Sequence, residues 1–173
     1  MKVVFLDIDG VLQPYNVPLR FDNLSIKKID ELSRKWDVDY SKYNINEISS
    51  VYYDWDELAI ARLKYILKET NARIIMSSEW RSKEQLYKMR DLLRIHYLGD
   101  YWACDNVILD NGKDVVENRA LEIKNSLSKY PVDNFVILDD MKGLEEYYPD
   151  NTVITDNTIS LNDTTKCVRI LKK

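Results

Sequence analysis

Three short apolar runs in this chain each end in small polar or acidic residues, and segments with helical periodicity separate the runs. The residues that follow the runs are Asp7 and Asp9 after 2–6, Ser77 and Ser78 after 72–76, and Asp139 and Asp140 after 135–138. Strands that alternate with helices favour an α/β fold with a central, mainly parallel sheet. Because right-handed crossovers bring the carboxyl ends of parallel strands to one edge, the sequence predicts four carboxylates and two hydroxyls beside a single crevice.

The length of the chain suits one domain. It has 173 residues, and 45% of them are apolar, which is enough for a substantial core. Residues 13–53 are irregular apart from helical spacing over 25–36. We therefore predict a single domain over 1–173, with 13–53 as a small cap-like or flap-like insert after the first strand.

Capping residues and periodicity predict the remaining elements. Asp54 resembles a helix N-cap, because Glu57 follows three residues later and apolar residues then recur at helical spacing. The further expected elements are helices over 82–96 (with Leu86 facing the core), after the N-cap Asp114 and over 162–171, and strands over 107–109 (closed by Asn111) and 152–155.

The charge of the chain limits its partners. A net charge of −4 argues against a protein that holds nucleic acid through bulk charge. A local basic strip is present, formed by Lys83, Tyr87, Arg90 and Arg94. We interpret this strip as a solvated helix face rather than as a nucleic-acid contact.

The sequence favours a cytoplasmic protein. No stretch is long and apolar enough to span a membrane, and the N-terminus does not resemble a signal peptide. The two cysteines, Cys104 and Cys167, are far apart and lack the spacing of metal ligands. Such cysteines are typical of a reducing compartment.

The clustered carboxylates indicate a metal and a phosphate ester. Carboxylates that lie close together repel one another unless a cation intervenes, and Mg²⁺ is the hard divalent ion that suits oxygen ligands and shares phosphate oxygens. An aspartate can attack a phosphoryl group, and the two-step transfer then needs an acid for the leaving alcohol and a base for water. Asp9 is the neighbour that could supply the proton to a reaction at Asp7.

The motif Asp7-Ile8-Asp9-Gly10-Val11-Leu12, placed directly after an apolar strand, resembles the first motif of the haloacid dehalogenase (HAD) superfamily of phosphotransferases. The resemblance covers nearly the whole chain. It implies a three-layer, Rossmann-like HAD fold, with Asp7 as the nucleophile and Asp9 as the general acid and base.

The other family motifs have matches in the expected order. Ser77 matches the residue that binds the transferring phosphoryl group, and Ser78 adds a second hydroxyl. Asp139-Asp140 resembles the double-aspartate form of the fourth motif, which implies Mg²⁺ binding together with Asp7 and the backbone carbonyl of Asp9. For the basic residue of the third motif we favour Arg119, with Lys113 and Lys124 as alternatives; such a cation would contact the phosphate.

The segment Ser77-Ser78-Glu79-Trp80-Arg81 is similar to a HAD subgroup associated with RNA-repair proteins, and more loosely to the 3′-phosphatase domain of phage polynucleotide kinase-phosphatase. This resemblance implies a phosphorylated substrate such as a nucleic-acid end, a nucleotide or a small metabolite. We expect Arg81 to reach the substrate from its loop and Trp80 to pack beneath that loop.

These features predict a Mg²⁺-dependent HAD-type phosphatase of the EC 3.1.3 class that works through an aspartyl-phosphate. One alternative is a receiver-like phospho-switch, although receivers carry their adjacent acidic pair on the first strand rather than late in the chain. The other is a catalytically silent HAD-like module that only binds RNA ends or a partner, and Asp9 argues against it because a binder needs no proton shuttle.

Overall fold

The computed structural model describes residues 1–17, 22–85, 87–109 and 112–173. Its sheet contains five parallel strands in the order β3-β2-β1-β4-β5. The strands are β1 (Lys2–Leu6), β2 (Arg73–Met76), β3 (Trp102–Asp105), β4 (Asn134–Asp139) and β5 (Thr152–Ile154). The predicted α/β class with a parallel central sheet is confirmed.

Helices cover both faces of the sheet. They are α1 (Ile26–Trp36), α2 (Ile45–Tyr53), α3 (Glu57–Thr70), α4 (Lys88–Arg94), α5 (Val115–Lys129), α6 (Leu144–Tyr147) and α7 (Leu161–Leu171), with short 3₁₀ helices at Tyr40–Lys42 and Gly99–Tyr101. Alternate residues of β1 serve the two faces: Val4 and Leu6 join the larger core, and Val3 and Phe5 join the smaller core beneath α5. This is the three-layer arrangement that the HAD resemblance implies.

The segment 13–53 contributes to the larger core instead of forming a core of its own. It contains α2 in addition to the one helix that we expected there, and residues 18–21 lie outside the described part. Its buried tyrosines are bonded to the main body, since the Tyr40 hydroxyl donates to the carbonyl of Asp91 at 2.6 Å and the Tyr43 hydroxyl to its carboxylate at 2.7 Å. The proposal that this segment acts as a cap or flap stays a prediction.

Some predicted boundaries were wrong for identifiable reasons. Asp54 ends α2, and Asp56 is the N-cap of the next helix, accepting from the amide of Ala59 at 2.6 Å. The expected helix over 82–96 is restricted to Lys88–Arg94, because Tyr87 has a positive φ of 69°, which no α-helix accommodates.

The third strand is Trp102–Asp105, so the strand predicted at 107–109 was misplaced. Leu86 and Asn111, for which we predicted a core position and a turn, lie outside the described residues. Within the described parts of the chain, no helix has the length and apolar character needed to cross a membrane.

Candidate active site

Four polar residues lie side by side where the strands end. Backbone hydrogen bonds continue past the strands. The N–H of Asp7 donates to the carbonyl of Leu138 at 3.0 Å, that of Ser77 to the carbonyl of Leu6 at 2.8 Å, and that of Asn106 to the carbonyl of Met76 at 2.8 Å. The order across the sheet is therefore Asn106, Ser77, Asp7 and Asp139, which we call the strand-end row. Residues at one level of a parallel ladder project to the same face, so these four side chains point towards the same helix layer.

Helix α5 covers the strand-end row. Arg119 lies over Asp7 and Asp139, and the Ser126 hydroxyl donates to Oδ1 of Asn106 at 2.5 Å. The N-cap of α5 is Asp114, as predicted, and its side chain accepts from the amide of Val116 at 2.9 Å. The helix thus holds a cation and a hydroxyl against the polar end of the sheet.

Three carboxylates converge at one end of the strand-end row. Asp7, Asp139 and Asp140 each offer an oxygen, and these atoms all lie within 4.8 Å of one another. Asp7 and Asp139 are buried, with 6% and 1% of their surfaces exposed. Hard oxygen donors grouped in this way suit Mg²⁺, so the residues present fit the cation that the sequence implied.

The electrostatics of the cluster support the same interpretation. Burial raises the pKa of Asp7 to about 7, and repulsion from Asp139 adds to the shift, while Arg119 opposes it. Burial also raises the pKa of Asp139, and there Arg119 is again the main opposing charge. Arg119 therefore does not fully offset burial and repulsion, and the pKa values of both carboxyls stay raised. A further cation at the cluster would stabilise the ionised carboxylates.

We predict that the protein without bound cation loses stability as the pH rises from about 4 to 7. The unfolded pKa of an aspartate is about 3.9, so over this interval the folded state holds a proton on Asp7, whose folded pKa is about 7, that the unfolded state has released. Thermal unfolding in a chelator should therefore give a falling melting temperature from pH 4 to 7. The fall should be smaller in Asp7→Asn.

Added Mg²⁺ should raise the melting temperature more at pH 8 than at pH 6, because its ligands must be deprotonated to bind it. An equal Mg²⁺ effect at both pH values, or a pH dependence that is identical in Asp7→Asn, would contradict this account of the cluster.

Arg119 is the cation closest to the cluster among the three candidates for the third motif. Its Nη1 lies 2.8 Å from Oδ2 of Asp139 and 3.5 Å from Oδ1 of Asp7, and its Nη2 donates to Glu79 at 2.9 Å. The exposed side chain of Lys113 pairs instead with Glu117, one turn along α5. The exposed Lys124 faces the groove between α5 and α6, which Tyr147 also lines.

Asp9 is held by two neutral donors. The indole Nε1 of Trp80 donates to Oδ2 at 2.8 Å, and the side-chain Nε2 of Gln13 donates to Oδ1 at 3.3 Å. The carboxylate is only partly buried. Trp80 packs against the larger core, and its indole also orients the side chain of Asp9.

The turn after Asp9 depends on Gly10. Its φ is 70°, its amide donates to the carbonyl of Gln13 at 2.8 Å, and its own carbonyl accepts from the hydroxyl of Thr155 at 2.7 Å. A Cβ here would lie 2.7 Å from the hydroxyl of Tyr15 and 2.8 Å from Cβ of Asp140. Tyr15 itself donates to the Asp140 carboxylate, so the turn and the cluster are built together.

Replacing Gly10 by alanine should damage both stability and metal binding. The positive φ and the contact with Asp140 each disfavour a Cβ, and we expect a loss of about 2 to 3 kcal/mol in the free energy of unfolding. Gly112→Ala is the matched control, because Gly112 has a φ of 72° but no atom within 4 Å of the added carbon. Urea unfolding of both variants measures the difference; equal losses would show that the crowding at Gly10 has no energetic effect.

The two serines after β2 have different surroundings. Ser77 is 1% exposed, and its Oγ has no hydrogen-bond partner among the described residues. Its place in the strand-end row lies next to Asp7, so this hydroxyl is available to a bound phosphate oxygen. Ser78 is fully buried and its Oγ accepts from the amide of Trp80 at 3.3 Å, which gives it a role in shaping the loop.

Arg81, which we expected to reach the substrate, is bound within the protein. Its guanidinium donates to the carbonyl of Ser78 at 2.6 Å, to that of Asn106 at 3.0 Å and to Glu122 at 2.9 Å. Glu122 also accepts from the amide of Leu109 at 2.7 Å. The geometry of Arg81 thus favours fixing the loops after β2 and β3 on α5, and substrate contact stays a prediction.

Several residues at the site were missed by sequence reasoning. They are Gln13, Tyr15, Glu79 and Thr155, together with the contact of Trp80 to Asp9. Glu79 and Trp80 directly follow the serine pair, so their position was the one available signal. The others come from segments whose place beside the cluster depends on the turn at Gly10 and on the β4–β5 pairing.

Comparison with known proteins agrees with these motifs. The family described as the HAD domain in Swiss Army Knife RNA repair proteins matches residues 3–165. No curated protein matches the chain significantly. The matched range includes the carboxylate cluster, both serines and Arg119. The chain therefore belongs to the HAD domains of Swiss Army Knife RNA repair proteins, as its motifs predicted.

Proposed function

We propose that this protein is a Mg²⁺-dependent phosphatase that removes a phosphate from nucleic-acid ends or nucleotides through an aspartyl-phosphate. One observation carries the proposal: the Asp7 carboxylate lies in the strand-end row between Asp139, its partner in the carboxylate cluster, and the buried hydroxyl of Ser77, which has no partner among the described residues. A phosphate there would meet a nucleophile, a hydrogen-bond donor and the guanidinium of Arg119 together.

In the first step the Asp7 carboxylate attacks phosphorus while the bond from phosphorus to the leaving oxygen breaks. Asp9 gives its proton to that departing oxygen, which leaves as an alcohol. Trp80 and Gln13 hold the two oxygens of Asp9, so the proton is delivered from a fixed direction. The products are a free hydroxyl and a phosphorylated Asp7.

In the second step Asp9 takes a proton from water, and the oxygen of that water attacks the phosphorus of the acyl phosphate. The bond from phosphorus to the Asp7 oxygen breaks, inorganic phosphate leaves, and both side chains return to their starting states. Asp7, Asp139 and Asp140 would hold Mg²⁺, and the family resemblance adds the backbone carbonyl of Asp9. When bound, the ion would neutralise charge on the phosphoryl group.

The family supports the substrate class, because its description refers to RNA repair proteins. The order of the acidic motifs disfavours a receiver-like switch. A silent binding module is also disfavoured, since Trp80 and Gln13 hold a second carboxylate two residues after Asp7. Neither alternative has an observation of its own in its favour.

The proposal is tested by hydrolysis of p-nitrophenyl phosphate and of short oligonucleotides with a terminal phosphate, with Mg²⁺ or with a chelator. We expect phosphate release from both substrates only when Mg²⁺ is present. If neither of these substrates nor free nucleotides lose phosphate, the proposed activity is wrong and the binding-module hypothesis replaces it.

A further inference from the structure

A pocket separate from the carboxylate cluster lies beside the strand-end row, next to the outer strand β3. Its volume is about 440 Å³, within the range of small-ligand sites. The walls come from the segment after β2 and from β3 and the residues that follow it; the lining includes Arg81, Lys83, Tyr87, Trp102, Asp105 and Asn106. The proposed phosphatase chemistry does not use this pocket.

Two aromatic rings form one wall. The centroids of Tyr87 and Trp102 are 5.7 Å apart in an edge-to-face arrangement. The guanidinium of Arg90 lies 4.5 Å from the centroid of Tyr87, which fixes that ring from one side. Tyr87 is half exposed and has a φ of 69°, a conformation that costs energy for a tyrosine and places its ring at the pocket.

The polar lining combines an acceptor with a donor. Asp105 accepts from the indole nitrogen of Trp102 at 2.8 Å, which holds its carboxylate at the aromatic wall. Asn106 is 3% exposed, and its Nδ2 has no hydrogen-bond partner among the described residues. Because Ser126 engages the Oδ1 of Asn106, its amide nitrogen remains as the available donor.

The pocket also has a cation at its rim. Lys83 is exposed and forms no ion pair within the described part of the chain. In contrast, Arg90 and Arg94 of the basic strip both pair with the buried carboxylate of Asp91, at 3.0 and 3.7 Å. The strip is therefore not one continuous solvated helix face, and Lys83 and Tyr87 belong to the pocket.

The pocket is aligned with the phosphate site. Asn106 lies two strands from Asp7 in the strand-end row, and neighbouring strands are about 4.8 Å apart, so their backbones are separated by roughly 10 Å. Ser77 lies between them. A phosphate bound at Ser77 would therefore lie one strand away from Asn106, which lines the pocket, and the sugar of one nucleotide can join a phosphate to a base over a spacing of this order.

We propose that this pocket binds the base of the nucleotide that carries the phosphate. The aromatic wall offers a stacking surface, Asp105 and Asn106 offer an acceptor and a donor for the edge of the base, and Lys83 suits the next phosphate of the strand. The proposal rests on the proposed function for the position of the phosphate. It adds that the protein recognises the terminal nucleotide of such an end through its base as well as through its phosphate.

The test compares two short ribo-oligonucleotides with a terminal phosphate that differ only in whether the terminal nucleotide has its base. Both 3′-phosphorylated and 5′-phosphorylated versions are used, and the version that loses its terminal phosphate faster is analysed. In Tyr87→Ala we expect the ratio of kcat/KM for the base-bearing over the abasic substrate to fall about tenfold. The ratio should be retained in Tyr97→Ala, the matched control, because Tyr97 is also exposed and has a φ of 61° but lies outside this pocket.

A second variant guards against local misfolding at Tyr87. Asp105→Asn preserves the shape of the side chain but adds a donor, so it should change the preference among the four terminal bases. An unchanged ratio in Tyr87→Ala together with an unchanged base preference in Asp105→Asn would overturn the pocket assignment.

Equilibrium binding to Asp7→Asn separates this inference from the proposed activity. Tighter binding of the base-bearing oligonucleotide than of its abasic form supports the pocket, even if the wild-type protein fails to hydrolyse p-nitrophenyl phosphate and the phosphatase proposal is abandoned. Equal binding of the two forms, or no binding, overturns the pocket even if hydrolysis is observed.

Discussion

Replacing Asp7 by asparagine should reduce phosphatase activity by more than about a thousandfold, in the range that loss of a nucleophile costs other enzymes. The amide preserves the shape of the side chain but cannot attack phosphorus. It also removes one of the three carboxylates of the cluster. The measurement is kcat/KM for p-nitrophenyl phosphate at saturating Mg²⁺.

The same substitution should not unfold the protein, which separates lost chemistry from lost structure. Asparagine removes a carboxyl whose pKa is raised to about 7, so the chain without cation should be at least as stable as the wild type at pH 8. Asp150→Asn, at an exposed aspartate, is the control and should leave both rate and stability unchanged. Full activity in Asp7→Asn would exclude the aspartyl-phosphate mechanism.

Asp9→Asn should lose about a hundredfold to ten-thousandfold, the usual contribution of a general acid and base. With aryl phosphates the loss should be smaller than with oligonucleotides, because a phenolate leaves more readily without a proton than an alkoxide does. Equal losses on the two substrates would remove Asp9 from the protonation of the leaving group.

Arg81→Met should destabilise the protein by about 3 to 5 kcal/mol, the typical cost of leaving one member of a buried ion pair alone. The side chains of Arg81 and Glu122 are 1% and 5% exposed and lie 2.9 Å apart. Loss of the guanidinium would take from Glu122 its closest cation, leaving Arg119 at 3.9 Å, and would remove this donor from the carbonyls of Ser78 and Asn106. Urea unfolding measures the change.

The double variant Arg81→Met with Glu122→Met should recover part of this loss, since both charges are then gone. Arg81→Lys should not, because one ammonium cannot replace the fork that reaches two loops and Glu122. Lys113→Met, at an exposed ion pair, is the control, with an expected change of about 0.5 kcal/mol or less. If Arg81→Met leaves stability unchanged and lowers activity, Arg81 contacts the substrate as the sequence suggested.

The sequence predicts much of the fold because its apolar runs and caps are local signals. β1, β2 and β4 begin and end close to the predicted residues, and Asp114 caps α5. The third strand could not be located, because Trp102–Asp105 is only four residues long, ends in an aspartate and is nowhere fully buried, so it has no continuous apolar run. The expected helix over 82–96 fails at Tyr87, whose positive φ has no sequence signal.

In the candidate site too, some residues could be predicted from the sequence and others could not. Asp7, Ser77 and Asp139 stand at strand ends, and parallel register alone brings them together. Arg119 was one of three candidates, since helical position does not tell which cation on or just before α5 faces the sheet. Arg81 could not be assigned from the sequence for a different reason. A cation next to a phosphate-binding motif suggests a substrate ligand, and only the structure shows that Arg81 pairs with the buried Glu122.

Helix α5 also has a consequence for the length of substrate that the protein can accept. Arg119 and Ser126 are seven residues apart, which is roughly 10 Å along a helix. They contact Asp139 and Asn106, at opposite ends of the strand-end row, so a rigid element and not a loop sets the separation between the carboxylates and the pocket. On the proposed function, this fixed separation would discriminate by linker length: a phosphate attached directly to the sugar would reach both ends, whereas a diphosphate would place its terminal phosphorus out of register with Asp7. A phosphate joined directly to a ring, as in p-nitrophenyl phosphate, would reach Asp7 without placing that ring in the pocket.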